Sequence, residues 1–136
     1  MEMQVAYIRI FVSDLDRALD FYCHILGLAI SHRDDEFGWA QLVTKGATLA
    51  LEQLPADADD FQQLIGRYLG VTVTIREDLR VWHEKMSAMG VNFSGEPEEM
   101  PWGGLMTQIS DPDGNVLTVL EAPFSQERQE TPAPAN

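Results

Sequence analysis

The stretch IFVSDLDRALDFYCHILGL, residues 10–28, decides the fold. It closes a β-rich run that starts at Tyr7, with β-branched Ile8, Ile10 and Val12 on alternate positions, the period of a strand with one buried face. Ser13 or Asp14 then offers a side-chain oxygen suited to a helix N-cap. From there Leu15, Ala18, Leu19, Tyr22, Ile25 and Leu26 recur at helical spacing, and Gly27 sits where a C-cap glycine belongs. Three more strands are predicted over residues 28–33, 38–43 and 48–52, with Lys45-Gly46 as the turn between the last two.

The same order then recurs. A strand is predicted over 71–75, and Glu77-Asp78-Leu79 opens a helix carrying Leu79, Trp82, Met86 and Met89 that Gly90 ends. Further strands are predicted over 91–93, 105–109 and 116–120. When Asp14 and Asp78 are aligned, the helix-ending glycines fall 13 and 12 residues on. Each half also carries a Gly–Trp pair before its third strand, Gly38-Trp39 and Trp102-Gly103. This pattern is an internal duplication of a strand–helix–three-strand unit. A half of ~55 residues is marginal as an independent core, so the halves are expected to form one structural domain with curved mixed sheets enclosing a cleft. The expected boundaries are a first module over 1–54, a linker over 55–67 with a short helical piece around residues 61–65, and a second module over 68–123. The polar residues 124–136 are expected to be a disordered tail.

Bulk properties narrow the function. The chain has 136 residues, enough for one compact domain. Its formal net charge of −13 opposes nucleic-acid and anionic-membrane binding and suits either plain solubility or attraction of a cationic small molecule. No apolar run approaches the ~20 residues of a membrane span, and the acidic start MEMQVAYIRI does not resemble a signal peptide, so a cytoplasmic location is expected. The single cysteine, Cys23, rules out an intramolecular disulfide. It lies near the C-terminal end of the first helix, where nothing lowers a thiol pKa, and a packing role is expected.

The two stretches IFVSDLDRALDFYCHILGL and DPDGNVLTVLE (residues 111–121) resemble the vicinal oxygen chelate superfamily, which includes glyoxalase I, bleomycin-resistance proteins, fosfomycin-resistance enzymes and extradiol dioxygenases. The resemblance covers roughly residues 4–122. It implies an α+β fold of two βαβββ modules, commonly a homodimer with ligand clefts in the cupped sheets. Metal-binding members hold a divalent ion through His, Gln or Glu on the first and last strands of each module. Those positions fall here on Tyr7, Ala50, Val71 and Thr118, with Thr72 or Glu52 as the nearest alternatives in register. Hydroxyls and alkyl groups are poor partners for Zn, Fe, Mn or Ni, so no metal and no cofactor are expected.

Other candidates carry competing readings. Asp-Pro-Asp-Gly at 111–114 is good turn chemistry, and its glycine stands at the wrong place for an EF-hand loop. His24 and His32, taken as at or beyond the end of the first helix, and His83 on the second helix are expected at the surface or in helix packing. Trp82 belongs to a helical apolar stripe. Trp39 and Trp102 either plug the sheet ends or flank a cleft, and the adjacent Gly38, Gly103 and Gly104 favour the ligand role. Arg9 shares a strand face with Tyr7 and Phe11, and either clamps an anion or pairs with an acid such as Glu52. The expected ligand set is therefore Tyr7, Arg9, Phe11, Trp39, Glu52, Trp102 and Thr118, in a metal-independent binding protein of the bleomycin-resistance type that sequesters an aromatic or cationic ligand as a homodimer. The competing readings are a metal-dependent lyase, isomerase or ring-cleaving dioxygenase of the glyoxalase branch, and a non-catalytic scaffold.

Overall fold

The computed structural model describes residues 1–122, so the tail expected over 124–136 lies outside the described residues. The fold is α+β. In order the elements are β1 (Ile8–Val12), α1 (Leu15–Leu19) with a π-helical continuation (Asp20–Ile25), β2 (Ala29–Asp34), β3 (Trp39–Val43), β4 (Leu49–Gln53), α2 (Phe61–Leu64), β5 (Tyr68–Ile75), α3 (Leu79–Ala88), β6 (Asn92–Phe93), β7 (Glu98–Glu99), β8 (Leu105–Ser110) and β9 (Val116–Glu121). One mixed sheet has the order β1-β4-β3-β2 and the other β5-β9-β8-β6, with β7 also on β8. The described chain divides into two compact units, Met1–Leu69 with Asp111–Val116, and Gly70–Ser110 with residues 117–122.

In the first unit β1 runs parallel to β4, and β4, β3 and β2 are antiparallel neighbours. Alternation sends Ile10, Val12, Ala40, Leu42, Leu49 and Leu51 to one face, where all are buried. That face packs on α1, whose buried residues are Leu15, Ala18 and Leu19. Asp14 caps α1 by accepting from the Arg17 N–H at 3.0 Å. A second orphan donor, Leu15 N–H, is satisfied at 2.7 Å by Gln53 Oε1 at the end of β4. The sequence predicts one regular helix to Gly27. The chain instead widens into π geometry over Asp20–Ile25, burying the adjacent Phe21 and Tyr22 edge to face at 5.0 Å and leaving Ile25 and Leu26 half-buried. Cys23 is half-buried in this turn, and burial pushes its thiol pKa up, consistent with packing rather than nucleophilic chemistry.

The Asp111–Gly114 turn belongs to this unit and ties it together. The Gly114 N–H closes the turn on the Asp111 carbonyl at 2.9 Å, and Gly114 holds the positive φ of 86° that a side chain would resist. The Asp113 carboxylate accepts from the Ser13 N–H at 2.8 Å, from Ser13 Oγ at 2.5 Å and from Arg17 at 3.2 Å. Asp111 accepts the Tyr22 hydroxyl at 2.8 Å. Burial, then the charge and hydrogen bond of Asp111, raises the Tyr22 pKa well above its ordinary value. Asn115, fully buried, accepts from the N–H groups of Gly66 and Arg67 and donates to the Phe11 carbonyl and to Asp111. Both carboxylates are thus engaged within the protein.

β2 contains one irregularity that matters below. Ile30 lies opposite Leu42, but His32, not Ser31, lies opposite Gln41, so a bulge absorbs one residue.

The second unit repeats the device. Asp78 caps α3, accepting from Arg80 and Val81, and Glu121 Oε1 at the end of β9 accepts the Leu79 N–H at 3.0 Å. Gln53 and Glu121 stand at the same offset, seven residues after Gly46 and Gly114. Leu79, Trp82 and Met86 are buried and Trp82 meets Phe93 edge to face at 5.8 Å. Met89, expected on the same stripe, is 48% exposed because the helix has ended at Ala88. Where the first unit has one strand, β2, the second has the two short strands β6 and β7, interrupted at Gly95 and Pro97, with Thr107 Oγ1 donating to the Gly95 carbonyl.

Candidate functional site

The helix covers one face of the first sheet, and the other face is polar and aromatic. Residues abreast in neighbouring strands share a face. One row across the sheet reads Arg9, Ala50, Gln41 and His32, and the next reads Phe11, Glu52, Trp39 and Asp34. A depression of about 380 Å³ is lined here by His32, Asp34, Phe37, Trp39, Gln41 and Glu52. That volume lies in the range of small-molecule sites.

Five of the expected ligand residues meet on this face. Tyr7 packs edge to face on Trp39, ring centroids 5.2 Å apart and planes at 82°. Arg9 pairs with Glu52 at 2.9 Å and lies 5.2 Å from the centroid of Phe11, whose ring it covers. Arg9 is thus the partner of an acid, the second of the two roles open to it from sequence. Trp39 follows Gly38, which has φ 62° and whose missing Cβ would lie 3.0 Å from Gln53 Cβ, so β3 can approach the end of β4 there. The Trp39 indole N–H donates to Gln41 Oε1 at 2.9 Å. Phe37 is 70% exposed in the β2–β3 turn, and Asp34 accepts the backbone N–H groups of Glu36 and Phe37 there.

The other two expected residues belong to the second unit. Thr118 is buried on β9, and Trp102 is 67% exposed in the turn before β8 rather than on a strand. The two tryptophans therefore occupy matching places in sequence but unlike places in structure. His32, expected at the surface, is exposed on β2, within the strand expected over 28–33, and it lines the depression. His24 pairs with Asp20 at 3.0 Å, and His83 packs on Phe93 at 4.3 Å. Asp34, Phe37 and Gln41 join the site without having been singled out. The alternation of Trp39 and Gln41 along β3 was a usable signal for Gln41.

The donor set does not fit the family's metal. The side chains of Ala50 and Val71 carry no donor atom, Tyr7 packs edge to face on Trp39 and offers only a phenol, and Thr118 offers only a buried hydroxyl. Among the described residues, no group of three or more His, Cys, Asp or Glu is placed to hold one ion.

A βαβββ order in each half, with a helix on one sheet face and, in the first unit, an open polar and aromatic face opposite it, defines a module of the vicinal oxygen chelate type. The chain belongs to the glyoxalase/bleomycin resistance protein/dioxygenase superfamily, whose profile matches residues 4–119. It is 31% identical over 124 residues to the protein YetH of Bacillus subtilis strain 168, covering 89% of this chain and all of YetH. Among solved structures, a superfamily member from Sphaerobacter thermophilus is 32% identical with a TM-score of 0.75, covering 88% of this chain and 98% of that one. TnmS3, an antibiotic binding protein from Streptomyces, is 27% identical with a TM-score of 0.68, covering 88% of this chain and 96% of its own. Among the described residues no helix is long and apolar enough to cross a membrane.

Proposed function

We propose that this chain is a metal-independent small-molecule-binding protein that sequesters an aromatic ligand with cationic character, working as a homodimer in the cytoplasm. The observation that carries the reading is the open face of the first sheet. Tyr7, Trp39 and Phe37 offer ring surface beside a depression that also presents Asp34 and the Arg9–Glu52 pair. Rings take planar ligands by stacking, and carboxylates in an acidic field attract cations. Arg9 leaves Glu52 partly neutralised, which makes Asp34 the stronger anchor for positive charge. The likeness to an antibiotic binding protein supports small-molecule binding. Trp102 and Thr118 are proposed as ligand contacts of the second unit, each to be tested by its own substitution.

Titration with bleomycin and with planar aromatic cations, followed by tryptophan fluorescence and thermal stability, tests the reading. Saturable quenching and a raised Tm are expected, both reduced in Trp39→Leu. No response at high micromolar ligand would sink it. Elemental analysis of protein purified without chelator tests metal independence, and a stoichiometric Zn, Ni, Mn or Fe signal would overturn that part.

A further inference from the structure

The hydrogen bond between Trp39 and Gln41 fixes more than a rotamer. An indole N–H can only donate, so the Gln41 atom 2.9 Å away must be the carbonyl oxygen, and the amide nitrogen must point elsewhere. Among the described residues no acceptor meets that nitrogen, and Gln41 lines the depression. Its neighbours in the row are Ala50, whose side chain cannot accept, and His32 across on β2. The ring that receives a planar ligand thus also dictates which end of the adjacent amide the ligand meets.

We infer that Gln41 is the specificity-determining residue of this site, locked by Trp39 as a donor, and that it selects aromatic ligands bearing a carbonyl oxygen. The inference rests on the binding function proposed above. A ligand oxygen beside Trp39 receives N–H groups that otherwise meet only water. A ligand presenting an amino group there faces the N–H donors of the Gln41 amide and finds only the second lone pair of an oxygen already held by the indole. The acceptor groups, Asp34 and Glu52, lie in the next row, so the face has a direction: oxygen toward Gln41, cation toward Asp34.

The test uses two probes that differ only in that oxygen, 2-(aminomethyl)-9-fluorenone and 2-(aminomethyl)fluorene, measured by calorimetry on the full chain. One well-placed hydrogen bond predicts about tenfold tighter binding of the ketone. Gln41→Leu should abolish that preference, bringing the affinities for the two probes within about twofold of each other. Gln41→Glu keeps an oxygen for the Trp39 N–H but presents an acceptor to the ligand, so the preference should reverse; this near-isosteric variant also serves if the leucine variant folds poorly. Trp39→Phe keeps a ring and frees the amide, and should shrink the preference while weakening both probes. Equal binding of the two probes by the native chain, or a preference that survives Gln41→Leu, would overturn the role of Gln41 and leave the binding function standing. Binding of neither probe by the native chain would overturn both.

Discussion

Replacing Asn115 by alanine should be the most damaging single change outside the hydrophobic core. The side chain is 0% exposed and makes four hydrogen bonds, from Gly66 N–H at 2.8 Å and Arg67 N–H at 3.2 Å, and to the Phe11 carbonyl at 2.9 Å and Asp111 Oδ2 at 3.0 Å. A net hydrogen bond contributes ~1 kcal/mol, and a buried partner left unsatisfied costs ~1–3 kcal/mol. Gly66 and Arg67 lie in exposed chain, so their N–H groups can regain water. Asp111 keeps the Tyr22 hydroxyl, which leaves the Phe11 carbonyl as the poorly compensated group. The sum comes to about 3 kcal/mol, a large share of the ~5–15 kcal/mol of a typical domain. With an m-value of ~2 kcal/mol/M the urea midpoint should fall by ~1.5 M. Asn115→Asp, equal in size, should cost at least as much, because it aims a carboxylate at the Phe11 carbonyl and at Asp111. A loss below ~1 kcal/mol in the alanine variant, with m unchanged, would refute the claim that this side chain braces the turn to β1.

Two further outcomes follow from the same geometry. The raised Tyr22 pKa means that the folded state holds a proton that the unfolded chain releases above pH ~10. Its contribution to stability is complete below that pH and is lost as pH rises through the folded value, so urea midpoints should decline above pH ~10 and Tyr22→Phe should flatten that decline. Gly38→Ala places a side chain at φ 62° with its Cβ 3.0 Å from Gln53 Cβ, and should cost about 1–2 kcal/mol by urea unfolding while shifting Trp39 emission.

Much of this architecture is written as periodicity. Alternation over residues 7–12 placed Tyr7, Arg9 and Phe11 on one face, and counting from the turn glycines reached Ala50 and Thr118 on β4 and β9. The duplication shows again in Gln53 and Glu121, which cap α1 and α3 from matching positions, a repeat too sparse to notice before the contacts are known. The π segment was not legible, because Tyr22, Ile25 and Leu26 obey ordinary helical spacing and only the burial of Phe21 reveals the wider turn. The facing of His32 beside Gln41 was not legible for a different reason. A period of two tells which residues share a face only while the register runs unbroken, and a bulge carries no residue signature of its own. Trp102 shows the limit of the repeat, since equal order in sequence did not give equal placement on a strand.

That bulge at Ser31 makes the length of β2 part of what the open face displays. The surplus residue lets His32 and Asp34 face Gln41 and Trp39 while Arg33 turns to the helix side and pairs with Asp16 at 2.7 Å. Paired without the irregularity, the same residues would put Ser31 opposite Gln41 and Arg33 opposite Trp39, exchanging an imidazole and a carboxylate for a hydroxyl and a guanidinium. A diverging copy gaining one residue just after Ser31 would change the site's chemistry at several places without altering any amino acid that lines it. In this sheet, insertion and deletion are as direct a route to a new surface chemistry as substitution.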